Sequence, residues 1–335
     1  MMGVMMKYGV RFLGLIVVPV SAGLAMGLIL LSGCGQPPPQ TNKAVNSEVA
    51  PMESTSSPPD SDHPRPRWAT DPWEDFESLP EPGPGDWLAV HHEFGQSYRV
   101  FVNAMPNRPD EVRSTLVLQP LGRFDHSEAP EPEFLRRFTE VYFGMPTQVL
   151  PAINLDHVSV TSRREPGLRQ RQLLTGDLLD LLRANLPEHA FCYVGITMED
   201  LYPGPDWNYV FGQASLRDRV AVYSFVRYFP AFWREKRNDP KLVLRRSLKV
   251  LAHETAHAFG IRHCTAHLCV MNGSNHLEES DSRPLHLCPQ DLRKLQWSVG
   301  FDIFDRYRRL IEIYREAGLD DEADWIERRL EHIEG

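Results

Sequence analysis

The chain has 335 residues, 42% of them hydrophobic and 24% charged, enough for one substantial globular domain or two modest ones. Its net charge is -9 with acidic and basic residues interspersed, which excludes the clustered basic surface of a nucleic-acid binder. Five cysteines are too few for a disulfide scaffold.

At the N-terminus, Lys7 and Arg11 precede an uncharged run from Phe12 to Gly33, a basic segment followed by an apolar core. The run ends in Leu31-Ser32-Gly33-Cys34, which resembles the lipobox of bacterial lipoproteins. That resemblance implies cleavage before Cys34 and acylation of its sulfur. The run is also just long enough to span a bilayer uncleaved, but the small residues directly before Cys34 favour cleavage. Residues 1–33 are therefore expected to be a signal peptide. The rest is expected to be exported and held at a membrane of the bacterial envelope through lipidated Cys34. Residues 34–66 are rich in Pro, Ser, Asn and Asp; they offer too few apolar groups to fold and read as a flexible tether. Residues 67–335 are the folded part.

Within it, Ser114 to Gly122 has the apolar, β-branched character of a buried strand. Pro132 to Phe143 carries Phe134, Phe138 and Val141 or Tyr142 at helical spacing. Thr147 to Leu155 reads as extended. Gln172 to Leu186 reads as a helix, with Leu174, Leu178, Leu181 and Leu182 along one face. Phe191 to Thr197, Asn208 to Ser215 and Val220 to Phe229 read as three more strands. Cys192, in the apolar FCYVGIT, is read as a buried thiol. Asp239 and Pro240 form a helix start, with Asp at the cap and Pro in the first turn. Leu244, Leu248, Leu251 and Phe259 form that helix's buried stripe. Pro289 to Val299, Ile303 to Glu316 and Asp320 to Glu334 read as three closing helices. Strands alternating with helices predict an α/β layer structure.

The most informative stretch is His253 to His263, HETAHAFGIRH. Residues four apart on a helix share a face, so His253 and His257 can share one zinc ion. Glu254 is placed as general base toward a metal-bound water. Gly260 can take the left-handed conformation that ends the helix, and the returning chain can supply His263 as a third ligand. Three histidines leave one zinc position open, which is the mark of a catalytic site.

Downstream come Cys264, Cys269, Met271 and Cys288, and with the zinc motif they resemble the archaemetzincin family of zinc metallopeptidases. Further likeness lies in GDWLAVHHE, LLTGDLLDLL, DLYPGPDWNYVFGQAS and VYSFVRY, so that it covers roughly residues 80 to 310. The resemblance implies a twisted, mostly parallel sheet with an antiparallel edge strand over the active-site helix. It also implies a division near residue 260, with residues 261–335 forming a small, helical C-terminal subdomain. The edge strand would pair with bound peptide, and Tyr209 to Ser215 is the candidate. Met271 would form the Met-turn, an apolar support beneath the three histidines.

One departure stands out. Family members hold a second, structural zinc with four cysteines, whereas here Cys264, Cys269 and Cys288 are joined by Asp291. A carboxylate is an acceptable zinc ligand, and His267, His276 or His286 lies near enough in sequence to substitute. The alternative is that no second metal binds and two of the cysteines pair. The expected activity is hydrolysis of a peptide or protein substrate, with Glu254 passing a proton from water to the leaving amine. Two other readings stand beside it. One is a non-catalytic zinc-binding surface lipoprotein acting as a binding module. The other is metal buffering by the histidines between positions 253 and 286.

Overall fold

The computed structural model describes residues 28–30, 75–124, 129–165, 167, 169–215, 217–234 and 239–334. Cys34, with the lipobox and tether around it, lies outside the described residues, apart from the backbone of Leu28–Leu30. No helix among the described residues is long and apolar enough to cross a membrane.

The centre is a six-stranded sheet. Its strands are β1 (Leu28–Leu30), β2 (Thr115–Leu121), β3 (Thr147–Val149), β6 (Ala190–Thr197), β8 (Gly212–Ser215) and β9 (Val220–Ser224), in the order β1-β8-β9-β6-β2-β3. Strands β3, β2, β6 and β9 run parallel; β8 is antiparallel to β9, and β1 to β8. The expected fold class is thus observed: a mostly parallel sheet turning antiparallel toward one edge. Successive side chains of a strand point to opposite faces, and both faces here are covered. Leu116 and Leu118 of β2 join one core with Leu248 and Leu251, while Val117 and Leu121 join a second core with Leu178 and Leu182. Covered on both sides, β2 and β6 need continuous apolar sequence, which is why they were legible.

Helix α3 (Pro132–Phe143) matches its expected bounds. The helix expected at Gln172–Leu186 is shorter: α4 spans Thr175–Ala184, and Arg171–Leu174 is strand β5. That strand lies between β4 (Ser162–Arg164) and β7 (Asp200–Tyr202) in a second, three-stranded sheet. The Gln172 amide donates to Asp200 (2.8 Å) and to the Asn208 carbonyl (2.9 Å). Such tertiary partners override a leucine spacing that suits a helix. The strand begun at Val220 also ends early, at Ser224. Beyond it Arg227, itself buried, grips Asp200 through two hydrogen bonds of 2.7 and 2.8 Å, and Val226–Tyr228 tightens into a 3-10 turn.

Helix α5 (Pro240–Ala258) starts where expected, with the Asp239 side chain accepting from the Leu242 amide at 3.1 Å. Three short helices were not anticipated: α1 (Trp87–Val90), α2 (Tyr98–Asn103) and α6 (Leu277–Asp281). The closing helices α7 (Pro289–Val299), α8 (Ile303–Glu316) and α9 (Asp320–Glu334) fall on their expected bounds. Leu310, Ile313, Ile326 and Leu330 of α8 and α9 share one continuous core with α3 and α5. The Arg306 guanidinium reinforces this by donating to the Tyr142 carbonyl at 2.7 Å.

Candidate metal centre

Helix α5 carries His253 and His257 one turn apart, as their spacing requires, and both are buried. Gly260 then adopts φ +78°, a conformation open to glycine at little cost, and the chain turns back to deliver His263. The three rings face one another with centroids 4.6, 5.2 and 5.2 Å apart, and one nitrogen from each can be drawn within 4.8 Å of the others.

The tautomers follow from the partners. His253 Nδ1 lies 2.8 Å from the Val270 carbonyl and His257 Nδ1 lies 2.6 Å from the Ile261 carbonyl. A carbonyl only accepts, so each Nδ1 carries the proton. Burial holds both imidazoles neutral: the first His is pushed down to about 3, and the second well below its ordinary range. Their two Nε2 atoms are therefore bare acceptors, yet they stand 3.0 Å apart. His263 Nδ1 donates to Glu93 (2.9 and 3.1 Å), and its Nε2 is buried without a partner. Two bare lone pairs and the unpartnered Nε2 of His263 thus converge, an arrangement that a cation relieves. The donor set fits zinc.

Glu254, on the same helix, is fully buried, and neither of its carboxylate oxygens has a hydrogen-bond partner among the described residues. Burial raises its pKa well above the usual carboxylate range. Strand β8 runs directly over it. A Cβ at Gly212 would sit 3.3 Å from Glu254 Cγ and 2.7 Å from Tyr223 Cβ.

Next to this cluster lies a second. Cys264, Cys269, Cys288 and Asp291 are all buried and bring their ligand atoms within 4.8 Å of one another. The three cysteines are free thiols, as is Cys192, so the alternative of a disulfide among them is not met; burial pushes the Cys192 thiol up to about 12. Cys264 and Cys288 have their sulfurs 3.7 Å apart, and Asp291 Oδ2 lies 3.5 and 3.4 Å from the sulfurs of Cys269 and Cys288. The backbone amides of Cys288 and Met271 point at Cys269 Sγ. Hydrogen bonds from the other two thiols hold Cys264 far below the usual thiol range, and burial drives Cys269 up.

Asp291 Oδ1 is taken by Lys294 at 2.7 Å, in a fully buried ion pair. His267, His276 and His286 do not join this cluster. His276 instead reaches Asp86 at 3.1 Å and caps α6, and His286 stacks on Trp325 at 3.6 Å. Met271 is fully buried, and its carbonyl accepts from the Cys264 amide at 2.8 Å.

The sequence reading missed Glu93, although it noted GDWLAVHHE, because nothing local ties position 93 to position 263. It also missed Lys294, whose i,i+3 spacing to Asp291 on α7 was visible. A surface hollow of about 590 Å³ between Asp110–Arg113 and Leu186–Glu188 holds none of these residues.

A profile of Peptidase family M54 matches residues 185–297, a stretch that contains both clusters, and together with the relatives that follow it makes the chain a zinc metallopeptidase by class. Relatives narrow the assignment. Archaemetzincin-2 of Macaca fascicularis is 37% identical over 257 residues, covering 68% of this chain and 71% of that one. Archaemetzincin-2 of Homo sapiens is 35% identical over 257 residues, with the same coverage. The crystal structure of archaemetzincin (amzA) from Methanopyrus kandleri is similar at 31% identity, with 58% of this chain and 99% of that chain covered and a TM-score of 0.42. The chain belongs to the archaemetzincin family.

Proposed function

We propose that this chain cleaves peptide bonds at the histidine cluster, with His253, His257 and His263 holding one zinc and Glu254 as general base. The observation that carries the proposal is the convergence of the three histidine Nε2 atoms, that of His263 without a partner, beside a buried carboxylate with no hydrogen-bond partner among the described residues. Zinc held there would acidify a water and polarise the scissile carbonyl. Glu254 takes the proton of the attacking water and returns it to the leaving amine. Strand β8 holds an extended substrate through its backbone. The antiparallel seating of Leu28–Leu30 on that edge supports its fitness for such pairing. Met271 backs the histidines as an apolar platform.

A second, structural zinc belongs to Cys264, Cys269, Cys288 and Asp291, whose thiols and carboxylate suit a closed tetrahedral site. The N-terminal run is a signal peptide cut before lipidated Cys34, and residues 34–66 tether the enzyme to a membrane of the cell envelope. Such cleavage removes Leu28–Leu30 and frees β8 for substrate. One experiment addresses the activity: digestion of a mixed peptide library with and without a zinc chelator, read by mass spectrometry. Chelator-sensitive cleavage is expected, and its absence would leave a binding module or a metal buffer. Metal analysis should find two zinc ions per chain; one would remove the second site. Mass spectrometry of the membrane form should find a diacylglyceryl group on Cys34, and an intact Met1 would refute the lipobox.

A further inference from the structure

Residues 75–96 lie outside the stretch matched by the family profile, yet they lie across the turn that delivers His263. The strap begins at Asp75, which is paired with Arg329 and lies 3.0 Å from His332. It then runs along the loop after His263: the Leu79 amide donates to the Ala266 carbonyl at 3.0 Å, and the Leu268 amide to the Glu77 carbonyl at 2.9 Å. Trp87 is fully buried; its backbone amide donates to both oxygens of Glu279 (3.0 and 3.1 Å), and its indole meets the His263 ring edge-on at 5.2 Å. Only a glycine fits opposite, since a Cβ at Gly273 would meet that indole at 2.5 Å. Gln96 clasps the turn itself, donating to the Gly260 carbonyl and accepting from the Arg262 amide, each at 3.1 Å.

Between these anchors stands Glu93. Of the three imidazoles, His253 and His257 sit on a rigid helix and give their second nitrogen to backbone carbonyls. His263 sits on a loop, and its Nδ1 meets a carboxylate. A carboxylate behind a ligating imidazole fixes its tautomer and ring orientation and raises its basicity. We propose that Glu93 is a positioning residue for the third zinc ligand, and that the strap 75–96 thereby sets the metal affinity of the histidine site from outside the matched stretch. The inference rests on the proposed metal reading of His253, His257 and His263.

The test uses the whole chain. Zinc affinity is measured by competition with a chelator for wild type, Glu93→Ala and Glu93→Gln, and a His257→Ala chain reports the metal held elsewhere. The thermal midpoint of each metal-free chain serves as the folding control. Glu93→Ala should bind zinc about 10- to 100-fold more weakly. Glu93→Gln, which keeps an acceptor oxygen and loses the charge, should fall between it and wild type. In the cobalt-loaded wild type, each imidazole N–H should give its own paramagnetically shifted, exchangeable proton signal, and Glu93→Ala should lose the one from His263. Affinities within twofold of wild type, with all three signals retained, would overturn the role of Glu93 and leave the zinc reading intact. If wild type holds no more metal than His257→Ala, the zinc reading fails and this inference with it.

Discussion

One backbone turn feeds two buried clusters: His263 faces the first and Cys264, its neighbour, the second. The histidine cluster has its outward nitrogens tied to Val270, Ile261 and Glu93, while the inward nitrogens of His253 and His257 meet only each other, and that of His263 and both oxygens of Glu254 have no partner among the described residues. The cysteine cluster is finished on all sides, with four ligating groups and with the spare oxygen of Asp291 consumed by Lys294. A site with three protein ligands keeps a position for chemistry, whereas one with four serves shape. The difference lies in what is left unpaired more than in ligand type.

The strongest way to break this contrast is Glu254→Ala. It should keep zinc on the histidines and lower peptide hydrolysis by about two to four orders of magnitude, the range for a general base. Unchanged turnover in steady-state assays would show that the unpaired carboxylate is idle. The contrast predicts the opposite profile for Asp291→Ala. Leaving Lys294 buried and unpaired should cost about 3–5 kcal/mol of stability, read by urea denaturation, with kcat of the folded, zinc-loaded fraction little changed.

Acid should act on the histidine cluster first. His253 is held at about 3 against 6.5 for a free imidazole, and His257 lies lower than its own free value too. Between those values the unfolded chain binds more protons than the folded one. Stability of the metal-free chain is therefore full above about pH 6.5 and falls as pH drops toward 3. Denaturation midpoints across that window check the sign, and a flat profile would mean that these imidazoles are not buried neutral. The smallest effect is expected at Gly212→Ala, where the added methyl crowds Tyr223 and Glu254. Overpacking of this kind costs about 1–3 kcal/mol. Here it should also slow catalysis, because the strand over Glu254 must shift. A variant as stable and as active as wild type would place β8 farther from the site.

Much of this was legible from local pattern. His253, Glu254 and His257 lie within one helical turn, so their geometry follows from spacing alone. The helices α3, α7, α8 and α9 carry amphipathic periods strong enough to fix their ends. Strand β5 was not legible: Leu173 and Leu174 continue the leucine spacing of α4, and only pairing with β4 and β7 separates them. Glu93 and Gln96 were hidden for a different reason, since their partners lie 170 and 164 to 166 residues away.

The sequence by itself determined which residues can hold a metal and which carboxylate can move a proton, because a helix of regular pitch turns a four-residue interval into a shared face. The tertiary structure alone decided the tautomers of His253 and His257, the burial that leaves Glu254 unpaired, the filling of the second cluster by Asp291 with Lys294, and the hold of Glu93 on His263. These depend on which distant groups share a dry interior, and hydrogen-bond partners across such distances are chosen by packing, which no local interval encodes.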